Sequence, residues 1–353
     1  MPLDSESRQA DPHHQRAAWI SKQLDVASQV VVRPDNIAPQ YSGDSNRFCT
    51  LPLDTDSSRT MNHSVIYYGG VDVSFPADDK QDPAAVAVYV ILDACAMQVV
   101  YQDYEYFSPQ VPYIPSFLAF REIEPLQRLV QKQKKQRPDL TPTVILVDGN
   151  GVLHPRRAGL ACFVGIRTGL PTIGVGKTLF NEGGLSKERV NKTMVDSLQA
   201  ALVHIQHQST SSSITAAGDT VLVDRGDPTS TAVVGDERPL SSLVDRGMLV
   251  QKLRPFCRGV AIALLVDDPE GGERTQLAYA LVGHGGRLRG GKSSKATEGS
   301  KNPIYISVGH NVSLQEAVRI CALLSLARIP EPIRQADLIG RKLLRRQSRG
   351  DIR

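Results

Sequence analysis

The 353-residue chain has only five cysteines, at positions 49, 95, 162, 257 and 321; they are odd in number, widely spaced and form no Cys-x-x-Cys pair. That spacing argues against a disulfide framework and against a zinc site, and it points to a reducing compartment. Long apolar runs are also missing. No stretch approaches the ~20 apolar residues that span a bilayer, and the opening Met1-Pro2-Leu3-Asp4-Ser5-Glu6 carries no apolar leader segment. A soluble cytoplasmic or nuclear protein, nucleolar included, with no membrane partner is the expectation. Nor is there a strong excess of one charge: 41 Lys and Arg against 37 Asp and Glu leave a formal net charge of +4. Only the distribution can speak for nucleic acid. Five Lys or Arg lie between Arg128 and Arg137, and six more between Arg341 and Arg353. Taken alone, such runs read as solvated helix faces. No internal repeat is visible, and nothing in the sequence bears on self-association beyond the expectation of a monomer.

What is present is enough apolar material, 41% of the residues, to bury a full core. The first sixteen residues read as a loose polar tail, followed by a short helix over Ala17–Ser28 and a Pro-, Ser- and Asp-rich connection over Arg33–Asn62. From Ser64 the pattern sharpens. Val65–Phe75, Ala84–Leu92 and Met97–Tyr106 read as three strands in an antiparallel meander. Phe117–Gln136 has helical spacing, and Thr143–Val147 reads as a short, almost wholly apolar strand, typical of the centre of a sheet covered on both faces. Helices around Ala158–Thr168, Lys187–Gln206 and Leu314–Ala327 alternate with strands at Thr172–Val175, Thr220–Val223, Gly259–Val266, Leu277–Val282 and Ile304–Val308. A meander followed by alternating helices and strands predicts an α/β fold: an RNase H-like mixed β-sheet flanked by helices. The expected division is an N-terminal tail, helix and loop (1–63), one catalytic domain (64–345) and a basic tail (346–353). Residues 208–246 and 284–303 have the composition of loop insertions.

Three acids stand out by position. Asp72 sits inside an otherwise apolar strand, where an unpaired charge is costly to bury. Asp148 ends another strand, just before Gly149-Asn150-Gly151, at the edge where α/β sheets place their chemistry. Glu122 lies in the first turn of the helix after Phe117. Neighbouring Asp-bearing strands would let all three converge, and clustered oxygen ligands suit Mg²⁺ or Mn²⁺. For any one acid the alternative is an ion pair, with Arg121 the nearest candidate. Gly176-Lys177-Thr178 after a strand suggests a phosphate-binding loop, but that pattern needs glycine at 171, which is Pro171.

Six ordered blocks then carry a resemblance. Gly69–Phe75 (GGVDVSF), Pro112–Glu122 (PYIPSFLAFRE), Val147–Arg156 (VDGNGVLHPR), Gly174–Lys177 (GVGK), Ile306–His310 (ISVGH) and Ile329–Asp337 (IPEPIRQAD) look like the signature blocks of endonuclease V, colinear from about Tyr68 to Asp337. The resemblance implies an endonuclease acting beside deaminated purines such as inosine in RNA or DNA. It would cut the second phosphodiester bond on the 3′ side, in single-stranded substrate, and leave 3′-hydroxyl and 5′-phosphate ends. It implies Asp72, Glu122 and Asp148 as ligands of Mg²⁺ or Mn²⁺, Asp337 as a fourth active-site acid, and Lys177 near the scissile phosphate. Pro112, Tyr113, Ile114 and Pro115 would form a wedge beside a flipped base. Ser116, Leu118, Gly149, Gly151, Gly159, Leu160 and Gly174 would build the pocket that reads it. Ser116 stands where relatives often have glycine, and Gly176 where they often have alanine. His310 has a clear block but an open role, structural or catalytic. The alternative is a protein that recognises inosine without cutting.

Overall fold

In Ala85–Asp93 every side chain from Ala85 to Leu92 is completely buried, as expected of a strand covered on both faces. Its alternate residues divide between two helices. Ala87, Tyr89 and Ile91 face Ile123, Leu126, Leu129 and Val130 of one helix, while Val86, Val88 and Val90 meet Ala336 and Leu343 of another. This two-sided burial sets the layer order helix, sheet, helix.

The computed structural model describes residues 12–35, 48–52, 66–76, 85–181, 183–210, 222–223, 257–267, 272, 274–283 and 302–349. Its elements are α1 (Pro12–Gln29), β1 (Val32–Arg33), β2 (Phe48–Pro52), β3 (Tyr67–Ser74), β4 (Ala85–Asp93), β5 (Gln98–Phe107) and α2 (Ala119–Gln136). They continue with β6 (Val144–Asp148), α3 (Leu160–Thr168), β7 (Thr172–Gly176), α4 (Lys187–Thr210), β8 (Leu222–Val223), β9 (Cys257–Val266) and β10 (Thr275–Gly283). Last come β11 (Ile304–His310), β12 (Val312–Ser313), α5 (Leu314–Leu324) and α6 (Glu331–Ser348). One sheet runs β5-β4-β3-β6-β7-β11-β10-β9-β2-β8. β3, β4 and β5 form the antiparallel meander, and β6 and β7 lie parallel to β3. From β7 outward every pairing is antiparallel. This is the mixed, RNase H-like sheet flanked by helices that the alternation predicts. Among the described residues no helix is long and apolar enough to cross a membrane.

Differences from the sequence reading fall at the ends of the chain. The first helix starts at Pro12, so five residues of the expected tail are helical; proline at the first helical position gives up no hydrogen bond. The expected connection over 33–62 contains a strand, β2, held antiparallel to β9 by backbone pairing that no side-chain alternation advertises. The helix over 314–327 stops at Leu324. α6 has no counterpart in the sequence reading, and the expected start of a basic tail at 346 falls inside it. Its apolar contacts, Ile333, Ala336 and Leu343, have helical spacing but are masked by the polar residues around them. Most of both expected insertions, 208–246 and 284–303, lies outside the described residues.

Candidate active site

β3 and β6 pair in parallel from Tyr68↔Val144 to Val71↔Val147, and one further step sets Asp72 beside Asp148. Side chains at equal register on adjacent parallel strands share a face, so the sheet itself brings these two acids together. Ser74 Oγ, two residues on and on the same face, donates to Asp72 Oδ2 at 3.1 Å. The third acid comes from the start of α2, which the loop after β5 leads into. Residues 112–118 turn into α2 through Phe117 N–H donating to the Ile114 carbonyl and Arg121 N–H to that of Leu118, and Glu122 follows in the first helical turn.

All three acids line one cavity of about 760 Å³, with Lys177 beside them. Asp72 and Glu122 are almost wholly buried. Burial pushes the Asp72 carboxyl up to about 8; a hydrogen bond shared with Asp148 and the charges of Asp148 and Asp337 push the same way, against Lys177. Burial, then the Asp148 charge, pushes Glu122 up to about 8, opposed by Arg121. The Lys177 ammonium contacts Asp148 Oδ2 directly. Burial disfavours its charge, but Asp148, Asp72 and Asp337 outweigh that and raise its pKa. Arg121, the alternative partner for the acids, lies instead over the Phe75 ring, 4.4 Å from the centroid.

Of the expected pocket residues, Tyr113, Pro115, Ser116, Leu118, Gly149, Gly159 and Leu160 line this cavity. Tyr113 is 66% exposed. Pro112, Ile114, Gly151 and Gly174 are not in the lining. For the two glycines the reason is close backbone packing: a Cβ on Gly151 would stand 2.0 Å from the Val308 carbonyl oxygen, and one on Gly174 2.2 Å from Gly151 N. They bring β6, β7 and β11 together beneath the site. Asp337, on α6, is outside the lining as well; its Oδ1 pairs with Arg341 Nε at 2.9 Å while its charge is felt by Asp72 and Lys177. His310 accepts through Nδ1 from Val31 N–H at 3.3 Å, next to the β1–β12 pairing and apart from the acids.

Sequence reasoning missed Gln23, Phe75, Asn150, His154, Thr178 and Phe180 as separate site residues, and all of them line the cavity. Asn150 and His154 sit inside a signature block that gives neither a role of its own. Gln23 lies on α1, far from every block, and no local signal marks it.

The acids supply oxygen donors only, and their mutual repulsion under burial is what a hard divalent cation would relieve. Asp72, Glu122 and Asp148 therefore fit such an ion by chemistry. Among the described residues, no three His, Cys, Asp or Glu side chains are already closed into a ligand set, and it is Lys177 that contacts Asp148.

An RNase H-like sheet with acids gathered at the end of two adjacent parallel strands, β3 and β6, defines the nuclease class. The comparisons are more specific. The Endonuclease V family model matches residues 53–225 and 256–338. Endonuclease V of Mus musculus is 34% identical over 317 residues, covering 89% of this chain and 71% of the mouse protein. The crystal structure of the catalytic domain of human Endonuclease V superposes with a TM-score of 0.59 at 29% identity, over 96% of this chain and 99% of the human one. Endonuclease V of Ciona intestinalis, crystallised with a 23mer DNA containing an inosine followed by a ribo-adenosine, matches with a TM-score of 0.57 at 26% identity, over 95% of this chain and 99% of that one. The chain belongs to the endonuclease V family and is an endonuclease.

Proposed function

We propose that this endonuclease cleaves the second phosphodiester bond 3′ to an inosine in single-stranded RNA or DNA, leaving 3′-hydroxyl and 5′-phosphate ends. The observation that carries this reading is the cavity that joins three acids, two of them deeply buried, to an exposed tyrosine. The Ciona relative, crystallised with inosine-containing DNA, supports the choice of base.

Asp72, Glu122 and Asp148 would hold the divalent cation, Mg²⁺ or Mn²⁺. When bound, the ion supplies Lewis acidity toward the phosphate and an activated water. The remaining work belongs to the chain. Lys177, already beside Asp148, places positive charge where the scissile phosphate enters. Tyr113, carried on a loop stiffened by Pro112 and Pro115, offers a ring for stacking against a displaced base. Gly149 and Gly159 expose backbone groups in the cavity wall, and backbone N–H and C=O groups can read a purine edge. Asp337 acts on Asp72 and Lys177 from α6 through its charge.

The test is cleavage of end-labelled inosine-containing and matched adenosine-containing oligonucleotides, as single- and double-stranded RNA and DNA, with Mg²⁺ or with EDTA. A metal-dependent nick directly 3′ of the inosine's 3′ neighbour, at the second phosphodiester bond, is the expected result. Tight binding of the inosine strand without a nick would instead make the protein a reader of inosine.

A further inference from the structure

Three donors converge on a single carbonyl in the loop before α2. Ser116 O accepts from Gln23 Nε2 at 2.8 Å, from His154 Nε2 at 3.0 Å and from Arg156 Nη2 at 3.1 Å. Arg156 Nη2 also donates to Ser116 Oγ at 2.8 Å, and Arg156 Nε donates to Gln23 Oε1. The ring of contacts is closed: Gln23 gives to Ser116 and takes from Arg156, which gives to Ser116 again. Arg156 N–H donates to His154 Nδ1 at 3.3 Å, so the proton of His154 sits on Nε2, facing Ser116. Burial holds that imidazole well below its ordinary range, at about 4, and keeps it in the neutral form this geometry needs.

The carbonyl so held belongs to a strained residue. Ser116 has φ of 66°, in the left-handed region that residues with a Cβ avoid. Such a conformation persists when its surroundings over-determine it. Pro115, directly before it, lines the cavity, as does Tyr113. The first helix delivers the key donor. α1 is largely solvent-facing, yet Gln23 is 0% exposed and lines the same cavity. A glutamine is not buried on an exposed helix without a partner. Trp19, one turn earlier, stacks on Phe120 with ring centroids 5.3 Å apart and lies 5.6 Å from Phe117, fixing the helix against the start of α2.

We propose that α1 is a latch on the 112–117 loop and that Gln23 is a positioning residue for base recognition, holding Ser116 in its left-handed conformation so that Tyr113 and Pro115 stand at the cavity. This rests on the inosine-nuclease reading. It extends the recognition machinery to residues before 53, where the family match begins.

Two measurements on the full chain test it. Native-state hydrogen exchange reads the latch without any activity: Gln23→Met keeps the side chain's length but loses both polar atoms, and the Phe117 amide, which donates to Ile114 O at 3.0 Å, should exchange about tenfold faster or more. Single-turnover cleavage reads the positioning. In Gln23→Met the half-saturating concentration of an inosine-containing oligonucleotide should rise about tenfold, the saturated rate should change less than about threefold, and binding of the adenosine control should not move. Adding Ser116→Gly, which removes the Cβ penalty at positive φ, should restore part of the lost affinity. Unchanged exchange in Gln23→Met overturns the latch. Equal loss for inosine and adenosine strands, or a fall in the saturated rate, overturns the positioning role. If the wild type fails to cut inosine strands, the nuclease substrate is wrong and the exchange result alone decides whether the latch exists.

Discussion

Replacing Asp72 with asparagine should stabilise the metal-free protein at alkaline pH while abolishing cleavage. Asp72 is buried, and its carboxyl is pushed from 3.8 to about 8. The folded pKa lies above the unfolded one, so the contribution of this group is fully present below about pH 4 and is lost as the pH rises through about 8. The difference is roughly four pH units, and at about 1.36 kcal/mol per unit the cost of holding Asp72 charged approaches 5–6 kcal/mol well above pH 8. Asp148 shares the hydrogen bond and the repulsion, so a single substitution should recover only part of that, about 2–3 kcal/mol. The asparagine amide keeps an oxygen to accept from Ser74 Oγ and carries no charge. At about 2–4 °C per kcal/mol, thermal unfolding in EDTA at pH 8.5 should shift upward by roughly 5 °C or more, whereas at pH 4 the two proteins should melt together. Mg²⁺ should raise the melting temperature of the wild type at pH 8.5 and leave Asp72→Asn unmoved. Identical melting of the two proteins at pH 8.5 in EDTA would refute the picture of a carboxylate destabilised by its neighbours.

Other perturbations separate chemistry, recognition and packing. Lys177→Met removes the ammonium that contacts Asp148 and should slow saturated single-turnover cleavage by about a hundredfold with little change in substrate affinity; a wild-type rate would take Lys177 out of the mechanism. Tyr113→Ala, at a 66% exposed position, should leave the melting temperature in place and weaken binding of inosine strands by roughly 5- to 100-fold, read by fluorescence anisotropy. Gly70→Ala puts a Cβ 2.3 Å from the Pro332 carbonyl carbon, backbone against backbone, and should cost about 3 kcal/mol in a denaturant titration. An unchanged midpoint there would mean that α6 is free to retreat from β3.

Much of the sheet was legible because each strand of the meander carries its own signal: dense β-branched and aromatic residues in β3, an unbroken apolar run in β4. Asp72 and Asp148 announced themselves for the same reason, as charges in apolar company. What stayed hidden depends on partners remote in sequence. β2 is a strand because β9 lies beside it, and α6 is buried on one stripe of an otherwise charged helix. Gly151 and Gly174 suggest pocket walls, since a glycine looks the same in sequence whether a base or another backbone approaches it; here the neighbour is Val308 in one case and Gly151 itself in the other. Gln23 was invisible because its function is defined only by the carbonyl it meets 93 residues later.

The parallel pairing of β3 with β6 has a consequence for how such a catalyst can change over time. Because neighbouring positions along a strand point to opposite faces, sliding either strand by one residue would turn one aspartate to the far side of the sheet while leaving most apolar contacts replaceable. Substitutions can wear away at this enzyme gradually, but a single-codon insertion or deletion inside either strand would silence it at once, whereas a change of length between the strands leaves the two aspartates in register.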